Sequence, residues 1–406
     1  MTALPAKKKK KGSILSKCLA WLHLWMGLIS GIVVFIIAVT GCLFVFQKEI
    51  MESIHHQTYF VTPTHTAPLP LSTLLDNAQK ALGTAKPANY ITAYIQPNRA
   101  WEFMSYAGND TATTYFGTLQ HYESVFINPY NGAVTGRIDY KYNFFNIVKG
   151  IHWSLLLNDK YGQPIIGWST FIFIILLITG LVLWWPKKWN KAARKQNFRI
   201  KWGASFKRLN YDLHNVLGFY SLLIALVLAL TGMVWAFKWF EATVYVIAAR
   251  STTPPVFQEL KSAKPTTPPV TNPLDIAFKT AQLQMPDAQR YGVSPAPTPE
   301  GVINVHAFRG KEVYYDHDEA DFDQYTGKML HKQTEKEKNG GVQMIELNYD
   351  IHVGAVGGIA GKIIAFIVGL ICASLPITGF LVWWGKNHHK KYQKPATRAS
   401  VSATTV

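Results

Sequence analysis

Four long apolar stretches divide the sequence, and two long polar regions separate them in pairs. The first apolar stretch, Cys18–Gln47, contains no Asp, Glu, Lys or Arg. At about 1.5 Å per residue, such a helix is long enough to cross a hydrocarbon core of roughly 30 Å. Similar stretches cover Ile165–Trp185, Leu213–Phe237 and Ile363–Trp384. The pattern therefore predicts four membrane-spanning helices.

Each polar region has a helix-like opening followed by strand-like runs. LSTLLDNAQKAL at 71–82 and PLDIAFKTAQLQ at 273–284 are typical of helices. Asn128-Pro-Tyr-Asn-Gly132 and Asp323-Gln-Tyr-Thr-Gly327 lie between β-prone residues, which suits a hairpin turn. The linker at 251–273 is too rich in proline for regular structure. Each polar region is therefore predicted to be a small α+β unit.

The two halves of the chain repeat the same features. A histidine precedes a Thr-Gly pair by 17 positions in the first and third stretches, from His23 to Thr40 and from His214 to Thr231. Each half is thus predicted to be one helix, one external domain and a second helix returning inward. The other matches are His152 with His352, Thr179-Gly180 with Thr378-Gly379, and Trp184-Trp185 with Trp383-Trp384.

The predicted fold class is membrane α plus external α+β, with four transmembrane helices arranged as two tandem repeats. Each repeat carries one external domain. In chain order the predicted segments are a basic cytoplasmic N-terminus (1–17), the first span (18–47), the first external domain (48–145), an interfacial segment with a histidine (146–164), the second span (165–186), a basic cytoplasmic loop (187–210), the third span (211–240), the second external domain (241–343), a second interfacial segment with a histidine (344–361), the fourth span (362–385) and a cytoplasmic tail (386–406).

The positive charge is concentrated in short segments beside the apolar stretches. The net charge is +17, and basic residues crowd Lys7–Lys11, Lys187–Arg208 and Lys386–Lys394. By the positive-inside rule these segments are cytoplasmic, so both polar regions are expected outside the cytoplasm. This explanation of the charge is favoured over nucleic-acid binding, and no nucleic-acid partner is expected.

The three cysteines, Cys18, Cys42 and Cys372, lie in or beside apolar stretches. They form no CxxC metal motif, CxxCH haem-attachment motif or disulfide framework. The first apolar stretch is too long for a signal peptide, and no A-x-A-like cleavage site follows it. We expect it to be a retained anchor.

These residues resemble the PepSY-associated transmembrane proteins. The resemblance rests on His23, on Gly150-Ile-His152, Asp212-Leu-His214 and Asp350-Ile-His352, and on the four Thr-Gly pairs and the two hairpins. It covers nearly the whole chain except the lysine-rich start and the tail after about 390, although Gln324 replaces proline in the second hairpin. The resemblance implies a multi-pass protein of the bacterial inner membrane, often iron-regulated. Some relatives are haem-containing reductases that release iron from siderophores, and their external domains are PepSY-like.

The depth of the histidines predicts haem ligation. His23 and His214 begin outward-running spans, so both lie at the cytoplasmic end of the helices. His152 and His352 precede inward-running spans, so both lie at the external end. The four histidines therefore form two pairs, each at one depth in the membrane. Bis-imidazole ligation of a haem iron needs two such residues facing each other, which helices presenting one histidine each can supply. We therefore expect these four residues to bind two b-type haems as axial iron ligands. No catalytic residue is assigned.

Other interpretations of these residues stay open. A single interfacial histidine is more often a hydrogen-bonded anchor than a ligand, although four at paired depths favour ligation. Asp159 and Lys160 separate His152 from its span, which places the external pair nearer the membrane surface, and His55-His56 is an alternative external ligand. The other histidines of the polar regions are His65, His121, His306, His317 and His331, and most of them are expected to be solvated.

Small residues near the histidines also allow two interpretations. Gly27, Gly31 and Gly218 would let a flat macrocycle approach the helices closely, or they serve ordinary helix packing.

Three functions are compatible with the sequence. The first is a membrane reductase that takes electrons from quinol or a cytoplasmic reductase and reduces an external ferric complex such as a ferric siderophore. A separate donor is expected because no nucleotide or flavin motif is present. The second is a non-redox PepSY module that binds a peptide or protease. Transport is disfavoured because the spans lack charged residues in mid-membrane, Lys362 lying at a span boundary.

Overall fold

The computed structural model describes residues 14–186, 189–255, 259–265, 271–310 and 313–392. Most of the basic N-terminus (1–17) and of the predicted tail (386–406) lies outside the described residues. Lys187 and Lys188 of the basic loop are outside them as well.

Helices form most of the described chain. They are, in order, α1 (Ile14–Phe44), α2 (Gln47–Ile54), α3 (His56–Tyr59), α4 (Leu71–Leu82), α5 (Tyr115–Thr118), α6 (Phe144–Ser154), α7 (Asp159–Trp184), α8 (Lys191–Asn197), α9 (Phe206–Asp212), α10 (Gly218–Ala236), α11 (Lys238–Ala249), α12 (Pro273–Gln284), α13 (Gly340–His352) and α14 (Gly358–Tyr392). A π-helical turn, Leu213–Leu217, joins α9 to α10, and Glu335–Glu337 and Ala355–Gly357 form 3-10 turns.

The strands belong to the polar regions. They are β1 (Tyr90–Tyr94), β2 (Trp101–Gly108), β3 (Leu119–Ile127), β4 (Val134–Asp139), β5 (Arg290–Ser294), β6 (Val302–Phe308), β7 (His317–Asp323) and β8 (Met329–Gln333).

Four helical segments of the described chain are long and apolar enough to cross a membrane. They cover Ile14–Phe44, Asp159–Trp184, Phe206–Ala236 and Ala355–Gly385, so the chain is a multi-pass membrane protein whose helices contact lipid. The second span begins at Asp159, six residues before its predicted bound of 165, because the side chain of Asn158 accepts a hydrogen bond from the Lys160 amide at 2.9 Å and caps the helix.

Apolar side chains on these helices face outward rather than into protein. Ile29 is 74% exposed, Ile32 is 73% exposed and Leu223 is 71% exposed. Exposed apolar surface of this extent is costly in water and favourable in hydrocarbon. It is therefore consistent with helices that are solvated by lipid.

The chain forms two compact units. The first consists of the described residues within Met1–Phe35, Ile172–Leu223 and Ile371–Val406. The second consists of Ile36–Phe171 and Ile224–Leu370, and it includes both polar regions.

One eight-stranded antiparallel sheet runs through the second unit, in the order β4-β3-β2-β1-β5-β6-β7-β8. Each polar region supplies four consecutive strands. The two sets join where β1 pairs with β5, with Ile91 opposite Val293. The sequence predicted an α+β unit in each polar region, but it did not predict that their strands form one sheet.

Helices α4 and α12 pack on one face of this sheet and bury its largest apolar cluster. Leu74 of α4 and Phe103 of β2 are fully buried, and Phe278 of α12 is 7% exposed. The bounds of both helices match the predicted ones, since their amphipathic patterns place apolar residues on the face that meets the sheet.

The two predicted hairpins have the same geometry. Gly132 and Gly327 adopt φ values of +71° and +70°, which non-glycine residues rarely adopt. Their amides donate to the carbonyl oxygens of Asn128 and Asp323 at 2.9 and 2.8 Å, respectively. The Asx-x-Tyr-x-Gly pattern therefore marks a left-handed turn residue in both polar regions.

Truncation of a core residue on α12 should destabilise the protein far more than truncation of an exposed one. Phe278→Ala removes a ring whose centroid lies 5.6 Å from the ring centroid of Trp101. We expect a loss of about 3–5 kcal/mol in the free energy of unfolding. Leu283→Ala, at a site 71% exposed, should change it by less than about 0.5 kcal/mol. The measurement is the thermal unfolding midpoint in detergent, and equal shifts would contradict this description of the core.

Candidate functional site

The first histidine pair consists of His23 on α1 and His214 in the π-helical turn between α9 and α10. Their ring centroids are 6.5 Å apart and their ring planes are 89° apart. Both residues belong to the first unit. The π-helical turn is a feature that helices often show at functional sites, where it re-aims a side chain.

The second histidine pair consists of His152 in the last turn of α6 and His352 at the end of α13. Their ring centroids are 6.0 Å apart, with 65° between the ring planes. Both residues belong to the second unit. The structure therefore brings His23 next to His214 and His152 next to His352, as the depth of the residues in the sequence predicts.

Each imidazole is held by a threonine from a Thr-Gly pair on another helix. The histidine Nδ1 and the threonine Oγ1 are the bonded atoms in every case. The distances are 2.9 Å for His23 and Thr179, 3.2 Å for His152 and Thr40, 3.0 Å for His214 and Thr378, and 2.9 Å for His352 and Thr231.

The threonines also determine which ring nitrogen carries the proton. The Thr179 hydroxyl donates to the Ile175 carbonyl at 2.8 Å, and the other three threonines donate to the equivalent carbonyl of their own helices. Since its single proton is used in this bond, the hydroxyl oxygen accepts from the histidine Nδ1–H. In the second pair, the Ile37 carbonyl lies 2.9 Å from His152 Nδ1 and is a further acceptor. Each Nε2 therefore keeps a lone pair that can bind a metal.

The glycine of each Thr-Gly pair makes room for the ring. A Cβ added to Gly41, Gly180 or Gly379 would lie 3.2 Å from Cε1 of the histidine that its threonine binds. For Gly232 the corresponding distance to His352 is 3.7 Å. Threonine and glycine therefore act together, since one orients the imidazole and the other lets it pack against the helix backbone.

The environment of the second pair keeps both imidazoles neutral. Burial lowers the pKa of His152, although the Ile37 carbonyl opposes this shift. Burial, followed by the proximity of His152, lowers the pKa of His352 to about 3. Neutral imidazole is the form that binds metal ions, so the protonation state of this pair suits ligation.

The separation of the rings fits a single metal between them. An imidazole nitrogen binds a first-row metal ion at about 2 Å, which places the ring centre about 3 Å from the metal. Two imidazoles on opposite sides of one ion are thus roughly 6–6.5 Å apart between centres. The observed distances are 6.5 and 6.0 Å.

The donor set favours a metal that brings its own equatorial ligands. Within the described ranges, no Cys, Asp or Glu joins either pair to form a group of three ligands. Two imidazoles alone do not complete a tetrahedral or octahedral shell, whereas an iron porphyrin would bring four nitrogens of its own and can take two imidazoles from the protein. The residues present therefore fit haem.

Several other candidates have different surroundings. His55 and His56 are exposed, and His56 stacks on Phe60 at 4.6 Å between ring centroids. A Cβ added to Gly27 would lie 3.8 Å from Leu176, and one added to Gly31 would lie 3.3 Å from Pro376. These contacts favour the interpretation of both glycines as helix-packing residues. The site of Gly218 likewise faces a helix residue, Leu375 at 3.5 Å.

The histidines of the polar regions differ in burial, and His317 is the most buried among those of the described residues. His317 is only 8% exposed. Its ring lies between two partners. The Tyr314 carbonyl is 2.8 Å from Nδ1, and the Lys338 ammonium is 3.1 Å from Nε2.

Sequence reasoning noticed the Thr-Gly pairs but did not assign them as histidine partners. It also missed two buried asparagines of the second half. Asn210 and Asn348 donate to the backbone carbonyls of Thr378 and Thr231 at 3.0 and 3.1 Å. Each asparagine precedes a histidine of a pair by one helical turn, and that spacing is the signal that could have found it.

A family model described as PepSY-associated TM region matches residues 20–386 of the chain. A search of curated proteins finds no match. The matched range includes all four paired histidines and the threonines that hold them.

Adding a methyl group at the glycines should test the packing of the rings. Gly41→Ala places a Cβ 3.2 Å from His152, and we expect overpacking to cost about 1–3 kcal/mol. Gly232→Ala is the matched control, since 3.7 Å from His352 is an ordinary contact. There the higher helix propensity of alanine should leave stability equal or slightly raised. Thermal unfolding midpoints in detergent measure the difference, and equal midpoints would contradict the close contact.

Proposed function

Because this chain belongs to the PepSY-associated TM region family, we propose that it is a b-type haem protein of the bacterial inner membrane. In this proposal it passes electrons across the membrane and reduces an external ferric complex, a ferric siderophore or a similar chelate, for iron acquisition. The electrons come from quinol or from a cytoplasmic reductase.

The proposed topology has both termini in the cytoplasm and both polar regions in the periplasm. The basic segments beside the spans support this orientation through the positive-inside rule. We also propose that the two halves are tandem repeats. Support comes from the matching hairpin glycines and from the use of one Thr-Gly pair to hold each of the four histidines.

The observation that carries the proposal is the pairing of four imidazoles, each bonded through Nδ1 to a threonine. Two haems are proposed, with His23 and His214 holding one and His152 and His352 holding the other. When bound, haem supplies one-electron transfer between ferrous and ferric iron. The chain's own contribution is to hold each imidazole in the Nδ1–H form and to keep the two rings of each pair at a fixed separation, where they would hold the haem.

A row of aromatic rings leads away from the second pair within the second unit. We call Trp235, Tyr349 and Tyr314 the aromatic row. Trp235 lies 5.1 Å from His352 between ring centroids and 6.4 Å from Tyr349, and Tyr349 lies 5.3 Å from Tyr314. Tyr314 lies three residues before the start of β7. The row supports electron exit toward the polar regions, where an external ferric complex would bind.

Reduction explains how iron would be released. Ferric iron prefers the hard oxygen ligands typical of siderophores, and ferrous iron holds them less strongly. One electron delivered to the bound complex therefore weakens it. No residue of the chain is assigned a catalytic role in this step.

The alternative is a membrane-anchored PepSY module without redox function that binds a peptide or protease. It accounts for family membership and for the external sheet. It gives no reason for four histidines to share one tautomer and one type of threonine partner, which is why we favour the haem protein.

Replacement of the paired histidines should remove haem one site at a time. We expect purified protein to contain two haems, His23→Ala or His214→Ala to lose one, and His152→Ala or His352→Ala to lose the other. A double variant with alanine at His55 and His56 is the control and should retain both. The pyridine haemochrome assay per mole of protein measures this, and haem-free wild-type protein would contradict the proposal.

The threonine bond should tune haem affinity without abolishing it. Thr179→Val keeps the side-chain shape but removes the acceptor for His23 Nδ1, and loss of such a partner typically weakens metal binding by about 10–100-fold. Thr179→Ser keeps the hydroxyl and should bind as wild type does. Titration of the apoprotein with haemin tests this. Equal haemin affinities of the Thr179→Val and Thr179→Ser variants would show that the hydrogen bond has no such role.

Electron delivery can be tested in proteoliposomes that contain quinol in the bilayer and ferric citrate outside. Wild-type protein should generate Fe²⁺, detected with a membrane-impermeant chelator. His352→Ala should fall to the rate of protein-free vesicles. A wild-type rate that already equals the protein-free rate would favour the non-redox alternative.

A further inference from the structure

Three side chains with metal-binding groups share one face of the sheet at a place separate from the histidine pairs. They are His306 on β6 and His317 and Glu319 on β7, and we call them the His/His/Glu cluster. His306 is the direct cross-strand partner of Glu319, and Phe308 is the partner of His317. Since side chains alternate between faces along a strand, His306, His317 and Glu319 project on the same side.

The ligand atoms converge. One nitrogen from each imidazole and one oxygen from Glu319 all lie within 4.8 Å of one another. The two imidazole centroids are 5.0 Å apart. The side chains of His306 and Glu319 are 28% and 27% exposed, so an ion from solution could reach them.

One polar atom of the cluster is buried without a partner. His306 Nδ1 has no hydrogen bond, because the nearest carboxylate oxygen of Glu319 is 3.9 Å away. That distance is too long for a hydrogen bond. It suits a nitrogen and an oxygen that bind the same ion, each at about 2.0–2.2 Å.

His317 is already held in the form that a metal requires. Its Nδ1 lies 2.8 Å from the Tyr314 carbonyl, which can only accept, so Nδ1 carries the proton and Nε2 the lone pair. Metal-binding histidines commonly donate their second ring N–H to a backbone carbonyl in this way.

The ammonium group of Lys338 lies beside the Nε2 lone pair of His317. The Lys338 ammonium donates to His317 Nε2 at 3.1 Å and to Glu346 at 2.8 Å, and it lies 3.2 Å from Glu335. Its side chain is 1% exposed. A metal ion at His317 would displace this one contact of Lys338, while the two carboxylates would still compensate the ammonium charge.

We propose that His306, His317 and Glu319 bind one divalent first-row transition-metal ion, with open positions for water or an incoming ligand. Two imidazoles and one carboxylate with open positions form a set used for Zn²⁺ and for non-haem Fe²⁺. The site does not depend on haem or on the proposed reductase activity.

The test is titration of the full-length protein in detergent, without a polyhistidine tag, with Co²⁺ and Zn²⁺. Isothermal calorimetry measures affinity, and the visible d–d absorption of Co²⁺ reports its coordination. We expect one site per chain in wild type. Glu319→Gln, which keeps the side-chain shape, and His306→Ala should each weaken it by more than about 100-fold, since each loses a direct ligand.

The matched control is a second histidine–carboxylate pair on the same sheet. His331 Nδ1 on β8 lies 3.8 Å from a carboxylate oxygen of Asp321 on β7, but within the described residues no third ligand joins them. His331→Ala should leave affinity unchanged. Lys338→Met should raise affinity, because it removes a positive charge beside the ion.

Two results would overturn the proposal. One is the absence of a site in wild-type protein, and the other is a site that survives both Glu319→Gln and His306→Ala. Circular dichroism and size-exclusion profiles verify that each variant is folded. The His23→Ala variant should bind Co²⁺ as wild type does, so failure of the haem proposal and failure of this one give different results.

Discussion

The structure depends on one repeated interaction, a hydrogen bond from a histidine Nδ1 to a threonine hydroxyl across two helices. The hydroxyl proton is committed to the threonine's own helix, as with Thr179 and the Ile175 carbonyl. The oxygen can therefore only accept, and the imidazole can only present Nε2 to its neighbour. A backbone carbonyl that accepts from a threonine on one helix therefore sets which ring nitrogen of a histidine on another helix carries the proton. The same bond occurs at all four histidines.

Close packing makes that interaction specific. The glycine after each threonine leaves space for the ring, and a methyl group there would meet it at 3.2–3.7 Å. An imidazole held by a bond on one atom and by packing on another has little freedom to rotate. Such preorganisation suits a ligand pair that must keep its geometry while iron changes oxidation state. In the second unit, the aromatic row begins with Trp235 beside His352 and ends at Tyr314. The Tyr314 backbone carbonyl accepts from His317 Nδ1.

The sequence predicted the features that rest on local pattern or repetition. Helices at 71–82 and 273–284 follow from amphipathic periodicity, and the histidine pairs follow from the repeated order of histidine and Thr-Gly along the chain. The pairing of Ile91 with Val293 could not be predicted, because strands so far apart in sequence carry no local signal of their contact. The threonine partners were missed for a related reason, since the packing of two helices decides which side chains meet. The burial of His317 depends on Lys338, which comes from a separate segment.

Electron paramagnetic resonance of the oxidised protein tests the central claim most directly, because it reports the axial ligands of ferric haem. Two facing imidazoles at each site predict two low-spin ferric species with bis-histidine ligation. The nearly perpendicular rings of His23 and His214, at 89°, predict the more anisotropic signal of the two. A high-spin signal from either site of the haem-loaded protein would contradict the account.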